Sequence, residues 1–501
     1  MSGHSLPDLQ VRTEAGVVEG HLARTAMGPV GVWRGIRYAE APRFEAPRPP
    51  AQWTGIQGAR AFGPACPQMV PGLSRPFGAS GDHPDEACLV LNIFSAGTDA
   101  PQRPVMVWIH GGAFVLGSAD MYDATHFAAS DEIVVVTINY RLGLLGFLDL
   151  GHALDEPRCP GNLGLRDQIA ALRWVRDNIA GFGGDPDRVT IAGESAGSVS
   201  VSLLMLCPDA LPLFHGAIMQ SGALTITHEA ARAEALAHRF LVLLGEPAPS
   251  LELLQALPVR RLLEVQRAVQ QELTAEVAGL PWFDGSLLPA SLADAERIAT
   301  PPIPLLAGTN RDEYRSFEIL PGGVRQRQRD KLEQMLRRRL GEGEVDAILE
   351  AYPMTRQGSL QLATDIYFGM PTLHFAERHA TLHAGQAGTW FYRFDIAHPL
   401  LGAAHGLDLL YLFDMHGLLP AALRGGPLAG TRAALAGRMR SHWIAFVRDG
   451  QPNADWPPFE PSRRTTKLFD RVDRLADDPH ALRRSVWPLT DQEAEPASIM
   501  S

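Results

Sequence analysis

A serine between two glycines is the strongest candidate for a nucleophile in this sequence. Residues 193–197 read Gly-Glu-Ser-Ala-Gly, a G-x-S-x-G pattern with Ser195 at its centre. An apolar, β-branched run precedes the pattern and a helical stretch follows it, which is the context of a tight strand-to-helix turn. Such a turn presents the hydroxyl at a helix N-terminus, where a developing negative charge is stabilised. The alternative is that Ser195 only caps that helix.

A second glycine cluster has the residue types that could supply hydrogen-bond donors to such a reaction. The sequence at 110–114 is His-Gly-Gly-Ala-Phe, and it follows another apolar run. Attack on an acyl group places negative charge on the carbonyl oxygen, and backbone N–H groups stabilise that charge where small residues let them approach. The cluster is therefore a candidate oxyanion hole. The alternative is an ordinary glycine turn.

The segments that must position these residues alternate between strand and helix patterns. Buried strands are predicted at 104–110 and 132–140, where apolar and β-branched residues are continuous. Apolar residues recur at spacings of three and four over 162–182, which predicts an amphipathic helix. The strand that leads into the serine turn and the helix that follows it continue the alternation. This order is typical of an α/β protein with a mostly parallel sheet.

The second half of the chain is less regular. Buried strands are predicted at 302–310 and 389–394, and helical stretches occupy approximately 225–300 and 320–385. Neither an internal repeat nor a low-complexity linker separates these segments. We therefore predict one sheet interrupted by helical insertions rather than a chain of several domains.

Composition and charge exclude several classes of protein. The 501 residues include 45 basic and 56 acidic side chains, a net charge of -11, which disfavours nucleic acid as a partner. No apolar run reaches the roughly 18 residues of a transmembrane helix. The N-terminal stretch lacks the apolar core of a secretory signal, so we expect a cytoplasmic protein. Four cysteines are too few for a disulfide scaffold, and lysine occurs only at Lys331 and Lys467.

These features resemble the type-B carboxylesterases, the carboxylesterase and cholinesterase branch of the α/β-hydrolases, and in particular a bacterial member. The resemblance covers most of the chain and follows the family's order. Its segments are GIRYAEAPRFEAPRPPAQWTG (35–55), FGPACPQ (62–68), EACLVLNIF (86–94), VMVWIHGGAF (105–114), NYRLGLLGFL (139–148), GNLGLRDQIAALRWVRDNIAGFGGDPDRVTIAGESAGSVSV (161–201), QSGA (220–223), FDGSLLP (283–289), GTNRDEYRSF (308–317) and AAHGLDLLYLF (403–413). It implies a single α/β-hydrolase domain over residues 1–501, with a central, mostly parallel sheet flanked by helices. The helical insertions are then expected to form a cap over the active site.

The resemblance implies a Ser-His-Glu catalytic triad. The family's acid follows a strand that ends in a G-x-N-x-D-E-like segment, which corresponds to Glu313 in GTNRDEY. The histidine corresponds to His405, and the order of Ser195, acid and histidine is that of α/β-hydrolases. Such partners are needed because a serine at its free pKa is a poor nucleophile. Two alternatives stay open, Asp312 for the acid and His398 for the base.

The resemblance also implies supporting roles for further residues. The oxyanion donors correspond to the N–H groups of Gly112, Ala113 and Ala196. Most relatives have glycine where this chain has Ala113, but only the backbone N–H is needed. Glu194 and Asp408 correspond to buried carboxylates near the triad. For Glu194 the alternative is an acid favoured at a helix start by the helix dipole.

The resemblance extends to cysteine pairing and to activity. Cys66 and Cys88 align with a disulfide-bonded pair of secreted relatives, so a disulfide is expected, although a reducing cytoplasm works against it. The implied protein is a serine carboxylesterase that needs neither cofactor nor metal and converts small-molecule carboxylic esters to acid and alcohol through an acyl-enzyme. The alternatives are an amide, carbamate or lactone hydrolase on the same triad, and a non-catalytic binding protein. The sequence does not distinguish a monomer from a homodimer.

Overall fold

The computed structural model describes nine stretches of the chain. They are residues 9–69, 84–98, 102–130, 132–224, 226–273, 277–319, 327–340, 342–415 and 432–487. The chain divides into two compact units. The first consists of Met1–Ala217 and Ile226–Leu292, and the second of Ile218–Thr225 and Ala293–Ser501. The nucleophile candidate lies in the first unit, and the candidate acid and base lie in the second.

The first unit contains both buried strands that form from apolar, β-branched runs and short strands with polar, exposed residues. In chain order they are β1 (Gln10–Arg12), β2 (Val17–Glu19), β3 (His21–Thr25), β4 (Gly28–Arg37), β5 (Ile56–Gly58), β6 (Val90–Ser95), β7 (Arg103–Ile109), β8 (Val134–Ile138), β9 (Gly184–Glu194), β10 (Gly216–Gln220, which ends in the second unit), β11 (His228–Glu229) and β12 (Trp282–Phe283). Six strands lie side by side in the order β9-β7-β8-β6-β4-β3. Strand β7 pairs in parallel with β8 and β9, and the remaining pairs are antiparallel. The strands predicted at 104–110 and 132–140 are confirmed as β7 and β8, which are entirely buried.

The helices of the first unit are short except for three. They are α1 (Thr125–Ala128), α2 (Gly143–Phe147), α3 (Leu150–Leu154), α4 (Leu163–Asn178), α5 (Ala196–Leu204), α6 (Ala230–Leu244), α7 (Leu251–Ala256), α8 (Val259–Glu272) and α9 (Leu292–Arg297, which continues into the second unit). The amphipathic helix predicted over 162–182 is confirmed as α4. It tightens into a 3₁₀ turn at Ile179–Phe182 and ends at Gly183, whose φ of +81° suits glycine.

Two parallel strands of the first unit end together at one edge of the sheet. The register of β7 and β9 pairs Ile109 with Gly193. Because the strands run in the same direction, the glycine cluster that follows β7 and the serine turn that follows β9 leave from the same edge. The topology therefore brings the nucleophile candidate and the candidate oxyanion loop to one place.

The second unit also has parallel strands that end together at one edge, and four strands are added in this unit. They are β13 (Leu305–Asn310), β14 (Thr389–Phe394), β15 (Thr465–Phe469) and β16 (Arg474–Asp477), in the order β16-β15-β14-β13-β10. The register of the parallel strands β13 and β14 pairs Asn310 with Phe394, so the turn after β13 and the loop after β14 leave from one edge. The strand predicted at 389–394 is confirmed as β14. The strand predicted at 302–310 begins only at Leu305, because prolines at 302 and 304 lack an N–H to donate.

Helices occupy much of the second unit. They are α10 (Arg315–Ile319), α11 (Arg327–Arg339), α12 (Glu342–Glu350), α13 (Arg356–Thr364), α14 (Met370–Leu382), α15 (Leu407–Leu412), α16 (Arg432–Asp449) and α17 (Ala481–Arg484). A π-helical turn, Asp365–Gly369, joins α13 to α14. Within the described ranges, none of the helices combines the length and apolar character needed to cross a membrane.

Several buried charged side chains are paired within their own unit. In the first unit, Arg141 donates to both carboxylate oxygens of Asp167, at 2.8 and 2.7 Å. In the second, the ammonium group of the buried Lys467 donates to Asp455 at 2.6 Å. Such pairing offsets the cost of removing charges from water.

The expected disulfide between Cys66 and Cys88 is absent from the structure. Both residues are buried and carry free thiols. A hydrogen bond with Cys66, together with burial, raises the pKa of the Cys88 thiol. The sulfur of Cys66 also accepts a hydrogen bond from the N–H of Leu142 at 3.3 Å. The two cysteines thus lie beside each other as free thiols, and the disulfide implied by the resemblance stays a prediction for the oxidised protein.

Candidate active site

Ser195 occupies a strained turn between β9 and α5. Its backbone has φ +57° and ψ −122°, a region that residues with a Cβ rarely adopt. A Cβ added at Gly193 would lie 2.4 Å from the carbonyl carbon of Gly197. A Cβ added at Gly197 would lie 2.0 Å from the carbonyl oxygen of Ile109. The turn therefore requires glycine on both sides of the serine.

The hydroxyl of Ser195 does not cap the helix that follows. Ser195 stands at the N-cap position of α5, yet its side chain makes no capping hydrogen bond. A capping serine accepts a bond from an N–H two or three residues ahead. The structure therefore does not support the alternative in which Ser195 is only a helix cap.

The loop after β7 folds back against this turn. Three consecutive residues have positive φ, namely Gly112 (+115°), Ala113 (+53°) and Phe114 (+60°). A Cβ added at Gly111 would lie 2.7 Å from Oε2 of Glu194 and 3.1 Å from Cβ of Ser195. The loop thus packs directly on the serine turn, with the buried Glu194 carboxylate beside Gly111.

The far end of this loop is clamped by Gln68. Its Nε2 donates to the carbonyl of Gly117 at 2.9 Å, and its Oε1 accepts from the N–H of Gly117 at 2.9 Å. Nε2 also donates to the carbonyl of Cys66 at 3.0 Å. A Cβ added at Gly117 would lie 2.5 Å from the carbonyl oxygen of Gly111, so the clamp acts on a segment packed against the glycine cluster. Sequence reasoning missed Gln68, because no local pattern indicates a contact 49 residues away.

The near end of the loop is held by His110 and Tyr140. The two rings stack with centroids 4.5 Å apart, and the Tyr140 hydroxyl donates to the carbonyl of His110 at 2.9 Å. Burial lowers the pKa of His110 to about 4. His110 is therefore uncharged near neutral pH and supports the loop by packing. This role of Tyr140 was also missed from the sequence.

In the second unit, Glu313 and His405 form a direct pair. Oε2 of Glu313 lies 2.7 Å from Nδ1 of His405, and the glutamate has no exposed surface. Its other oxygen, Oε1, accepts the backbone N–H of Asn310 at 2.6 Å. The N–H of His405 donates to the carbonyl of Glu313 at 3.1 Å. Both the side chains and the backbones of the two residues are thus joined.

The two alternative residues are occupied elsewhere. Oδ2 of Asp312 accepts the N–H of Ala403 at 3.0 Å and pairs with Arg311 at 3.0 Å. Nδ1 of His398 accepts backbone N–H groups at 3.2 and 3.3 Å from its own loop, at Leu400 and Leu401. The structure therefore brings Glu313, rather than Asp312, to the histidine at 405.

Asp408 lies at the centre of a buried polar network behind this pair. Its Oδ2 accepts from Nε2 of Gln220 at 2.8 Å and from the hydroxyl of Tyr392 at 3.0 Å. Its Oδ1 accepts from Nδ2 of Asn310 at 3.2 Å. Nε1 of Trp443 in turn donates to Oε1 of Gln220 at 2.9 Å. Across the described ranges, no group of three or more His, Cys, Asp or Glu side chains is placed to hold a metal ion.

Aromatic rings surround the imidazole of His405. The ring centroid of Phe368 lies 4.3 Å from it and that of Phe317 lies 5.3 Å from it. Phe368 belongs to the π-helical turn, a feature that often marks a functional site. The rings restrict the volume around the histidine and keep water from part of its surface.

Comparison with known proteins gives consistent matches along the chain. The model of the family described as "Carboxylesterase family" matches residues 7–483. A para-nitrobenzyl esterase of Bacillus subtilis is 36% identical over 493 residues, covering 95% of this chain and 97% of that protein. A phenmedipham hydrolase of Pseudarthrobacter oxydans is 35% identical, covering 92% of this chain and 94% of that protein.

Solved structures match at similar identity. A PNB esterase structure has a TM-score of 0.87 and 34% identity, and the match covers 96% of this chain and 100% of that one. A carboxylesterase of Geobacillus stearothermophilus has a TM-score of 0.81 and 35% identity, with the same coverage. The likeness therefore extends over almost the whole length of each protein.

Proposed function

The chain belongs to the carboxylesterase family, has the predicted α/β-hydrolase fold and is a carboxylic ester hydrolase, and we propose that it works through an acyl-enzyme on a Ser-His-Glu triad. In this proposal Ser195 is the nucleophile, His405 is the general base and acid, and Glu313 orients the histidine. The substrate is a small-molecule ester. Relatives named as esterases support the reaction class. The geometry around Ser195 and that of the Glu313–His405 pair support the roles.

The proposed reaction begins when His405 takes the proton of the Ser195 hydroxyl. Oγ bonds to the ester carbonyl carbon, and the electron pair of the C=O bond moves to its oxygen. Collapse of the tetrahedral intermediate breaks the bond to the alcohol oxygen, which receives the proton from His405. His405 then takes a proton from water, and the water oxygen attacks the acyl-enzyme. Cleavage of the bond to Oγ releases the acid, and His405 returns the proton to the serine.

The observation that carries this proposal is the 2.7 Å hydrogen bond between buried Glu313 and Nδ1 of His405. When Nδ1–H donates to a carboxylate, Nε2 is the nitrogen that can accept a proton. The same carboxylate stabilises the imidazolium that forms when the histidine is protonated. The pair thus has the chemistry of a general base.

We assign the oxyanion donors to the N–H groups of Gly112, Ala113 and Ala196. The N–H of Ala196 begins α5, where the first helical N–H groups have no partner within the helix. Positive φ values at Gly112 and Ala113 favour a concave arrangement of successive N–H groups that binds an anion. Glu194 is assigned as the buried carboxylate that supports this loop through Gly111.

The first test removes the nucleophile. Ser195→Ala is expected to lower kcat on a p-nitrophenyl ester by roughly 10³-fold or more and to abolish labelling by a fluorophosphonate. Ser202→Ala is the matched control, because Ser202 lies on the same helix and its hydroxyl donates to the carbonyl of Val199. Full labelling of Ser195→Ala at the wild-type rate would place the nucleophile elsewhere.

The second test concerns the leaving group. The same residues could cleave amides, carbamates or lactones, so kcat/KM is compared between an ester and an amide with a common acyl group, and with a carbamate and a lactone of similar size. We expect the ester to have the highest kcat/KM. Absence of turnover on the whole panel, with no covalent labelling, would instead favour a non-catalytic binding protein.

A further inference from the structure

We propose that Asn310 is a positioning residue for the catalytic base, and that it holds the Glu313–His405 pair from both sides. The inference rests on the proposed function, since it assigns Asn310 a role only if His405 moves protons. Asn310 is the last residue of β13 and is almost completely buried. It therefore acts through its neighbours and not by touching substrate.

Asn310 anchors both partners of the Glu313–His405 pair. The backbone N–H of Asn310 donates to Oε1 of Glu313 at 2.6 Å, which leaves Oε2 to face the histidine. The side-chain Nδ2 of Asn310 donates to the carbonyl of Ala404 at 2.8 Å. Ala404 immediately precedes His405 in the chain. The strand end thus fixes the carboxylate through its backbone and the histidine loop through its side chain.

The side-chain amide of Asn310 has one permitted orientation. Oδ1 of Asp408 accepts from the same Nδ2 at 3.2 Å, so both amide hydrogens face oxygen atoms. Rotating the amide by half a turn would place Oδ1 of Asn310 against two acceptors, the carbonyl of Ala404 and the carboxylate of Asp408. Asp408 is itself held by Gln220 and Tyr392. The network therefore selects the orientation in which Asn310 holds the loop.

Proton transfer requires that the imidazole of His405 keeps its position. The base must hold its imidazole in place while it takes a proton from the serine and returns one to the alcohol. A misplacement of about 1 Å costs on the order of 10²-fold in rate. A hydrogen bond to the residue before His405 limits this displacement directly. A hydrogen bond to Glu313 limits it through the carboxylate.

The test compares two substitutions of Asn310 with a matched control. Asn310→Ala removes the side-chain anchor of Ala404 and keeps the backbone N–H that bonds Glu313, and Asn310→Asp keeps the shape but replaces the side-chain donor with an acceptor. Both are expected to lower kcat by roughly 10²-fold with KM changed by less than about threefold. Asn92→Ala is the control, because Asn92 is a buried amide that bonds Gly35 and Thr137 in the first unit. It is expected to cost stability without a loss of kcat.

Two further readouts separate positioning from a merely structural role. The rate of fluorophosphonate labelling needs the same base, so it should fall in proportion to kcat in Asn310→Ala. The low-field proton resonance of Nδ1–H, bonded to Glu313 in wild type, should move upfield or broaden. A structural role alone would lower the melting temperature and leave both signals at their wild-type values.

An exchange of partners completes the test. The double variant Asn310→Asp, Asp408→Asn restores a donor and an acceptor between the two side chains, but it leaves no amide to hold Ala404. We expect it to recover stability and not kcat. Recovery of kcat would overturn the proposal, because Asn310 would then serve only to satisfy Asp408. If wild type itself is not labelled, the proposed function fails; if wild type and Asn310→Ala are labelled at equal rates, only this inference fails.

Discussion

Ser195 lies among backbone atoms, whereas His405 lies among side chains. Around the serine, the shape comes from residues with positive φ and from glycines at which an added Cβ would collide with neighbouring carbonyl groups. Around the histidine, side chains make the contacts: Glu313 bonds the imidazole, and Asn310 and Asp312 bond the backbone of the two preceding residues, Ala404 and Ala403. The two regions serve one proposed reaction but are specified by different kinds of residue.

This difference determines which substitutions each region can accept. A site built from backbone atoms has no space for an added Cβ, but its shape does not depend on the polarity of the surrounding side chains. A site built from buried polar side chains is instead sensitive to the polarity of each side chain. Exchange of oxygen for nitrogen preserves volume but leaves a donor facing a donor or an acceptor facing an acceptor.

The largest expected effect is an isosteric exchange on the histidine side. Glu313→Gln should lower kcat by roughly 10³-fold or more, because an amide neither stabilises the imidazolium nor enforces the required tautomer. Asp312→Asn, one residue away, should lower kcat by less than about tenfold, since Asp312 bonds the loop backbone and Arg311. Steady-state kinetics on both variants decide the matter. The reverse order would mean that Asp312 is the acid.

The next effect is the addition of one methyl group on the serine side. Gly197→Ala should destabilise the protein by about 3 kcal/mol, because the new Cβ would lie 2.0 Å from the carbonyl oxygen of Ile109. Gly437→Ala is the control within a helix, where an added Cβ meets nothing within 4 Å. It should stabilise by roughly 0.5–1 kcal/mol. Equal urea midpoints for the two variants would contradict the backbone-built description of the turn.

A smaller effect is expected at Gln68, because here a side chain supports a loop that is otherwise shaped by its backbone. Gln68→Glu keeps an acceptor for the N–H of Gly117 but turns oxygen towards the carbonyls of Gly117 and Cys66. We expect kcat to fall about tenfold, or about 1.4 kcal/mol of barrier, with little change in KM. Gln52→Glu is the exposed control. An unchanged kcat would mean that the proposed oxyanion loop holds its shape from its own backbone alone.

The smallest effect is expected from removing the Cβ of Ala113 in the proposed oxyanion loop. Ala113 has φ +53°, so Ala113→Gly relieves a strained conformation while keeping the N–H donor. Activity should stay within about tenfold of wild type, less than about 1.4 kcal/mol of barrier. A loss well beyond tenfold in kcat would show that the methyl group itself shapes the pocket.

The sequence predicted those parts of the molecule that depend on local patterns. Strand 389–394 and the helix beginning near 162 follow from hydrophobic periodicity, and the serine turn follows from its glycines. The choice between Asp312 and Glu313 could not be made from the residues alone, because adjacent positions differ only in where the turn directs them. Resemblance to the family selected Glu313, and the structure places it against His405.

Long-range contacts were beyond the reach of local patterns. The bond from Asn310 to Ala404 joins residues 94 apart, and the clamp from Gln68 to Gly117 joins residues 49 apart. Neither bond has a periodic or compositional signature. The disulfide expected at Cys66 came from alignment with secreted relatives, and alignment does not carry the redox state of a thiol.

The burial of Lys467 has a consequence for chemical modification of the protein. Its ammonium group is enclosed and bonded to Asp455, whereas Lys331 is exposed on α11. The sequence has no other lysine. An amine-selective reagent therefore has Lys331 as its accessible side-chain target, apart from the terminal amino group. Attachment of a dye or a solid support through amide chemistry is expected to use at most two positions, Lys331 and the terminal amino group, instead of a random mixture.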